Sequence, residues 1–197
     1  MNEIWAIVLA AGESSRMKSP KMVLPFGNST MIETVIANVA ASDADKMVVI
    51  LGSWKKEILQ VIDKHRVNHC FNDNYKQGML SSVQCGLRFI SGASRGALIC
   101  PGDQPMVDKA VINMVISAFK NSGKGIVIPV CGRKRGHPVM IDIKYFNEIL
   151  NLKPADTLKK VMVNHPDDIE EVETDHSSVL EDIDTPEDYT NALKLIS

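Results

Sequence analysis

The chain has 197 residues, 45% of them apolar, and a formal charge of −2. That length holds one α/β domain with a full core and leaves little for a second. The near-balanced charge excludes a nucleic-acid or membrane partner held by bulk electrostatics, and the apolar content excludes a disordered chain.

Ile4–Ala10 (IWAIVLA) is a continuous apolar run, the pattern of a strand buried on both faces. The run through Ala11 is too short to span a bilayer and lacks a basic flank, so neither a membrane span nor a signal peptide is expected. A cytoplasmic protein is the default. Thr30–Ala41 carries Met31, Val35 and Val39 at helical spacing. Lys46–Leu51 reads as a strand, Trp54–Lys64 as an amphipathic helix and Val67–Phe71 as a short strand. Met79–Ile90 returns to helical period through Leu80, Val83, Leu87 and Ile90. Gly96–Cys100 follows as a strand and Val107–Lys120 as a helix. Gly125–Val130 and Pro138–Ile141 are two strands joined by a polar turn over Gly132–Gly136. That return cannot house a crossover helix, so the pair is expected to be antiparallel. Thr157–Val163 and Pro186–Leu195 read as helices and Ile169–Thr174 as a late strand, while the acidic run Asp167–Asp175 reads as solvated surface. Alternating strands and helices predict an α/β fold of three layers, with helices on both faces of a mostly parallel sheet and one antiparallel strand. No repeat or linker divides the chain, so residues 1–197 are expected to form a single domain. Cys70, Cys85, Cys100 and Cys131 have no CxxC spacing, and each is read as a small buried hydrophobe.

The loop after the first strand carries the most chemistry. Leu9-Ala10-Ala11-Gly12 ends a buried strand in small residues, which let a ligand approach the backbone. Ligands of open α/β sheets bind beyond those carboxyl ends. Ser14, Ser15, Arg16, Lys18 and Lys21 then supply hydroxyls and cations suited to a triphosphate. Neither GxGxxG nor GxxxxGK[ST] is present, so dinucleotide and P-loop readings find no support. An ordinary polar loop accounts equally well for the composition alone. Asp103, between Gly102 and Pro105, follows a strand, where a turn aims its carboxylate outward; a turn-forming or capping role fits the same residues. In Asp184-Thr185-Pro186, Thr185 is placed to cap the helix beginning at Pro186, with Glu187 and Asp188 suited to its positive end.

The segment LAAGESSRMKSPK (Leu9–Lys21) resembles the signature of the MobA-like nucleotidyltransferases, roughly LAAGxSxRMGxxK. Gly78–Val83, Gly102–Pro105, Gly136–Val139 and Asp182–Asp188 resemble one branch, the molybdenum cofactor cytidylyltransferases, in order and spacing. Lys18 departs from the family's usual Gly. The resemblance implies a Rossmann-like nucleotidyltransferase fold and transfer of a nucleoside monophosphate from an NTP to a phosphorylated acceptor. It implies that Leu9, Ala10, Ala11, Gly12, Arg16 and Lys21 bind the nucleotide, with Arg16 on the β- and γ-phosphates and Lys21 near the α-phosphate. It adds Ser81 and Ser82 to the nucleotide side, although N-capping also explains them. Asp103 is the implied principal Mg²⁺ ligand and Asp184 a second one, so that Arg16, Lys21 and Asp103 carry the catalysis. Gly136, His137 and Pro138 are implied to line the acceptor side, where a structural His is the plainer reading. LAAG in place of LAGG favours CTP, and the branch implies a molybdopterin-type acceptor and a molybdoenzyme or chaperone partner. The rivals are a guanylyltransferase, a methylerythritol or sugar-phosphate nucleotidyltransferase, and a non-catalytic nucleotide-binding module. The last would be expected to lack Asp103, Arg16 or Lys21.

Overall fold

The structure is a computed structural model that describes residues 3–90, 92 and 94–196. The first strand, β1 (Glu3–Ala10), is followed by a small hairpin, β2 (Pro25–Phe26) and β3 (Ser29–Thr30), and by α1 (Met31–Ala40). Next come β4 (Lys46–Leu51), α2 (Lys55–Ile62), β5 (Asn68–Phe71), α3 (Met79–Ile90), β6 (Ser94–Pro101) and α4 (Lys109–Ser122). The chain continues through β7 (Ile126–Cys131), β8 (Lys134–Arg135), β9 (Val139–Asp142), α5 (Phe146–Leu150) and α6 (Lys159–Asn164). It ends in β10 (Ile169–Glu173) and α7 (Pro186–Leu195).

The main sheet has the order β10-β7-β9-β6-β1-β4-β5, with β8 paired to β7. β1 runs parallel to both neighbours, with Leu9 opposite Pro101 of β6 and Ala10 opposite Leu51 of β4. β9 runs antiparallel to β6 and to β7, as the short return from Val130 requires. β10 pairs parallel with β7, so the late strand extends the sheet.

The period of two along β1 makes both cores. Ile4, Ala6, Val8 and Ala10 face α1, α2 and α4, packing with Val35, Ile58 and Val115. Trp5, Ile7, Leu9 and Ala11 face α3, α5 and α6, packing with Val83, Ile149 and Val161. Burying each such aliphatic side chain contributes about 1.5–3 kcal/mol. A Cβ at Gly86 would meet the Ile7 side chain at 2.5 Å, so glycine inside α3 permits that helix's closest approach to the sheet. A third cluster, of Phe26, Met31, Ile183 and Ala192, seats α7 on the β2–β3 hairpin. The capping box predicted around Thr185 is present, with Asp188 as its acidic partner. No helix among the described residues is long and apolar enough to cross a membrane.

Three details differ from the sequence-based expectation. The strands β2, β3 and β8 and the helix α5 have two to five residues each, too short to carry a period. Within the acidic run, Asp168 is half-buried and pairs with Lys144 Nζ at 2.7 Å. Among the cysteines only Cys100 is buried; Cys70, Cys85 and Cys131 are half-buried. They lie at strand ends or on the outer part of a helix, where apolar neighbours in sequence do not guarantee cover.

Candidate active site

At the carboxyl edge of β1 and β6 lies a cleft of about 360 Å³. The loop after β1 forms one wall, through Ala11, Gly12, Arg16 and Lys21. The start of α3 forms another, through Gly78, Met79 and Ser82, beside Tyr75 and Lys76. Pro101, Asp103 and Asp184 close the floor and one end.

Each element is held in register by the backbone. Gly102 N–H donates to Leu9 O at 2.9 Å, which ties the turn after β6 to the end of β1. Ile183 N–H donates to Asp103 O at 3.0 Å, which brings a segment eighty residues away in sequence against that turn. Ser53 N–H donates to Ala11 O at 3.2 Å and the Trp54 indole Nε1–H donates to Glu13 O at 3.0 Å, so the turn after β4 braces the loop. A Cβ at Gly52 would lie 2.4 Å from Ala11 O, and only glycine permits that approach.

The loop itself is bent at two non-glycine residues in the left-handed region, Ser14 at φ 51° and Lys18 at φ 54°. Glycine, which stands at the Lys18 position in the signature this segment resembles, accepts such a φ without steric cost. Lys18→Gly is expected to stabilise the protein by roughly 0.5–1 kcal/mol, about 2–3 °C in melting temperature. A lower melting temperature in a thermal melt would show that the Lys18 side chain contributes more than its backbone costs.

Charge converges at one end of the cleft. Lys21, 6% exposed on a single turn of 3₁₀ helix, donates from Nζ to Asp103 Oδ2 and to Asp184 Oδ1, both at 2.7 Å. It also donates to Ile183 O at 3.1 Å, which completes its three donors. Arg16 Nη1 pairs with Asp184 Oδ2 at 2.9 Å. Burial alone would depress the Lys21 ammonium, but the two carboxylates overcome it and hold its pKa above the ordinary lysine value. Two cations and two carboxylates cancel, so this end of the cleft is electrostatically neutral as it stands.

The remaining candidate residues separate into different surroundings. Leu9 and Ala11 reach the cleft, whereas Ala10 turns its side chain into the opposite core. A Cβ at Gly12 would meet no atom within 4 Å, so there is open space beside the loop at that point. Ser82 lines the cleft, but the buried Ser81 hydroxyl lies 2.8 Å from Gly78 O and 3.0 Å from Asn74 O. Both hydroxyls accept from Asn72 Nδ2, at 2.8 and 3.0 Å. Asn72, Trp54 and Tyr75 had no motif to mark them in the sequence; a polar residue directly after a strand was the one available signal for Asn72.

Gly136, His137 and Pro138 lie outside the cleft. Gly136 N–H donates to Pro129 O and His137 N–H to Val179 O, at 2.8 and 2.9 Å. Burial lowers the His137 pKa, opposed by the Asp182 and Asp103 carboxylates. Burial raises the Asp182 pKa, reinforced by Asp103 and opposed by the amide of Gln104, which donates to Asp182 Oδ1 at 2.8 Å.

The arrangement has known counterparts. The family model described as the MobA-like NTP transferase domain matches residues 6–169. The molybdenum cofactor cytidylyltransferase of Escherichia coli (strain K12) is 25% identical over 193 residues, covering 98% of this chain and 96% of that protein. The crystal structure of Rv0371c from Mycobacterium tuberculosis H37Rv superposes with a TM-score of 0.88 at 22% identity, covering 98% of each chain. That protein has also been solved in complex with manganese, with a TM-score of 0.83, 22% identity and coverage of 98% of this chain and 99% of that one. A nucleotidyl transferase from Methanothermobacter has a TM-score of 0.83 at 22% identity, covering 100% of this chain and 98% of that one. With its loop, turn and sheet matched over 164 of its residues (6 to 169), this chain belongs to the MobA-like NTP transferase domain family.

Proposed function

We propose that the chain is a cytoplasmic, Mg²⁺-dependent nucleotidyltransferase acting as one domain, which transfers CMP from CTP to a molybdopterin-type acceptor and releases pyrophosphate. The single observation that carries the transferase chemistry is the convergence of Lys21, Arg16, Asp103 and Asp184 at one end of the cleft. The end-to-end match with the Escherichia coli enzyme supports the choice of base and acceptor.

Two carboxylates that share one cation at 2.7 Å are hard oxygen donors, as Mg²⁺ requires. Mg²⁺ commonly takes one or two protein carboxylates and completes its coordination with water and substrate phosphates. Asp103 and Asp184 would hold it, and the manganese complex of the mycobacterial neighbour supports a divalent ion here. When bound, it supplies charge neutralisation at the phosphates and leaves this end of the cleft with a net positive charge matched to a polyphosphate.

The acceptor's phosphate oxygen attacks the α-phosphorus, a new P–O bond forms, and the bond to the β-phosphate oxygen breaks. That nucleophile is already anionic, so no side chain need remove a proton. Arg16 neutralises the β- and γ-phosphates and Lys21 the α-phosphate, and the braced loop fixes both. His137, outside the nucleotide cleft, faces the acceptor in this reading, and a molybdoenzyme or chaperone would receive the product.

Competition titration tests the base. CTP is expected to bind about tenfold or more tightly than GTP or ATP, a difference of about 1.4 kcal/mol. Equal or tighter GTP binding would move the protein to the guanylyltransferases. His137→Ala is expected to leave CTP affinity within about twofold while raising the KM for acceptor on the order of tenfold or more. Loss of CTP affinity with acceptor use intact would reverse the assignment of the two sides.

A further inference from the structure

We propose that Cys70 and Cys85 are a redox modification site, closing reversibly into an intramolecular disulfide that reshapes one wall of the cleft. The effect on nucleotide rests on the function proposed above; the disulfide does not. Cys70 lies on β5 and Cys85 on α3, with their Sγ atoms 3.1 Å apart. Both are half-buried, so a small oxidant reaches them. A bonded pair needs about 2.05 Å, so closure asks for roughly 1 Å of movement.

The chemistry of the two sulfurs is unequal. The hydrogen bond from Cys70, opposed by burial and aided by Arg88, brings the Cys85 thiol down to about 7. The same contact, with burial, pushes Cys70 up. The Arg88 cation, three residues further along α3, favours the thiolate on Cys85, which makes Cys85 the attacking sulfur and Cys70 the resolving thiol. With hydrogen peroxide as oxidant, the Cys85 thiolate attacks one peroxide oxygen and the O–O bond breaks. This leaves a sulfenic acid and a hydroxide that takes up the proton Cys85 released. The Cys70 sulfur then attacks Cys85, the S–S bond forms, and the S–OH bond breaks, the leaving hydroxide taking the Cys70 proton as water. Two thiols lose two electrons and two protons, and one peroxide becomes two waters. The other thiols are unsuited to the pairing. Cys100 is fully buried and pushed up to about 12 by that burial. Cys131, on β7, is separated from β5 by four strands.

The tether encloses the cleft wall. The segment between the two cysteines contains Tyr75, Lys76, Gly78, Met79 and Ser82, all lining the cleft. It also contains Asn72, two residues after Cys70, whose amide holds Ser81 and Ser82. Cys85 is one helical turn after Ser82, so a displacement there is delivered to the wall of the site. A shift near 1 Å in a positioning element is enough to cost an active site up to about 10²-fold.

The test uses the full chain carrying Cys131→Ser, treated with hydrogen peroxide and compared with the same protein after dithiothreitol. The expected results are a Cys70–Cys85 linked peptide on non-reducing mass mapping and a melting temperature raised by roughly 5–10 °C. The Kd for CTP is expected to rise about tenfold. Dithiothreitol reverses all three, and the further variants Cys70→Ser and Cys85→Ser abolish them. Absence of the linked peptide under peroxide that oxidises an exposed thiol would overturn the site. A linked peptide with an unchanged Kd would overturn its hold on the cleft. Reduced protein that binds no nucleoside triphosphate would defeat the proposed function, while the peptide map and the melt still decide the disulfide.

Discussion

Asp103→Asn is expected to lower turnover by at least about 10²–10³-fold while leaving the protein folded. Asparagine keeps the shape and an oxygen within reach of Lys21 but removes the charge that, in the proposed function, would hold a metal ion at the head of the cleft. Electrostatic stabilisation of developing charge is the largest single term in most such reactions, and in the proposed function this carboxylate would anchor it. The effect on stability is smaller, because Lys21 keeps Asp184 at 2.7 Å and Ile183 O at 3.1 Å. A charge-assisted hydrogen bond is worth about 1.5–3 kcal/mol, which bounds the loss. That exceeds the roughly ±0.5 kcal/mol expected of a surface turn residue, since the partner Lys21 is buried. A pyrophosphate-release assay across Mg²⁺ concentrations, paired with a thermal melt, makes the measurement. Near wild-type turnover at ordinary Mg²⁺ would remove Asp103 from the metal site.

Lys21→Met should injure both stability and turnover. Removing the ammonium leaves Asp103 and Asp184 facing each other across the space it filled, with Arg16 paired only to Asp184. Breaking such a buried pair by deleting one partner costs about 3–5 kcal/mol. A divalent ion should replace part of the lost charge, so the variant's melting temperature should rise with Mg²⁺ more steeply than that of the wild type. Turnover should fall on the order of 10²–10³-fold through loss of charge at the α-phosphate. A lysine that met only phosphate would leave the Mg²⁺ dependence unaltered, and that outcome would show that the bridge to both carboxylates is not kept in solution. The pH dependence has a definite sign. The Lys21 pKa is raised in the folded protein, so its contribution is fully present below the ordinary value of 10.5. It is lost only as pH rises through the higher folded value. Wild-type and Lys21→Met melts should therefore converge at strongly alkaline pH and differ most at neutrality.

Most of this protein was legible along the chain because its decisive signals are local. The apolar run of β1, the alternation of strand and helix periods and the short return before Pro138 determine an α/β sheet with one reversed strand. The loop from Leu9 to Lys21 shows its chemistry in its own composition, and Thr185 shows its cap within four residues. Tertiary structure decided whatever depends on separate segments meeting. Asp184 reaches Asp103 because Ile183 N–H bonds to Asp103 O, a contact across eighty residues that no spacing encodes. Lys21 lies between two carboxylates instead of in open solvent because a single 3₁₀ turn buries its stem. Ser81 and Ser82 are adjacent in sequence, yet only Ser82 faces the cleft, because successive residues of a helix point about 100° apart. The contact between Cys70 and Cys85 likewise exists only where β5 meets α3, since side-chain direction and strand order, not sequence distance, bring two thiols together.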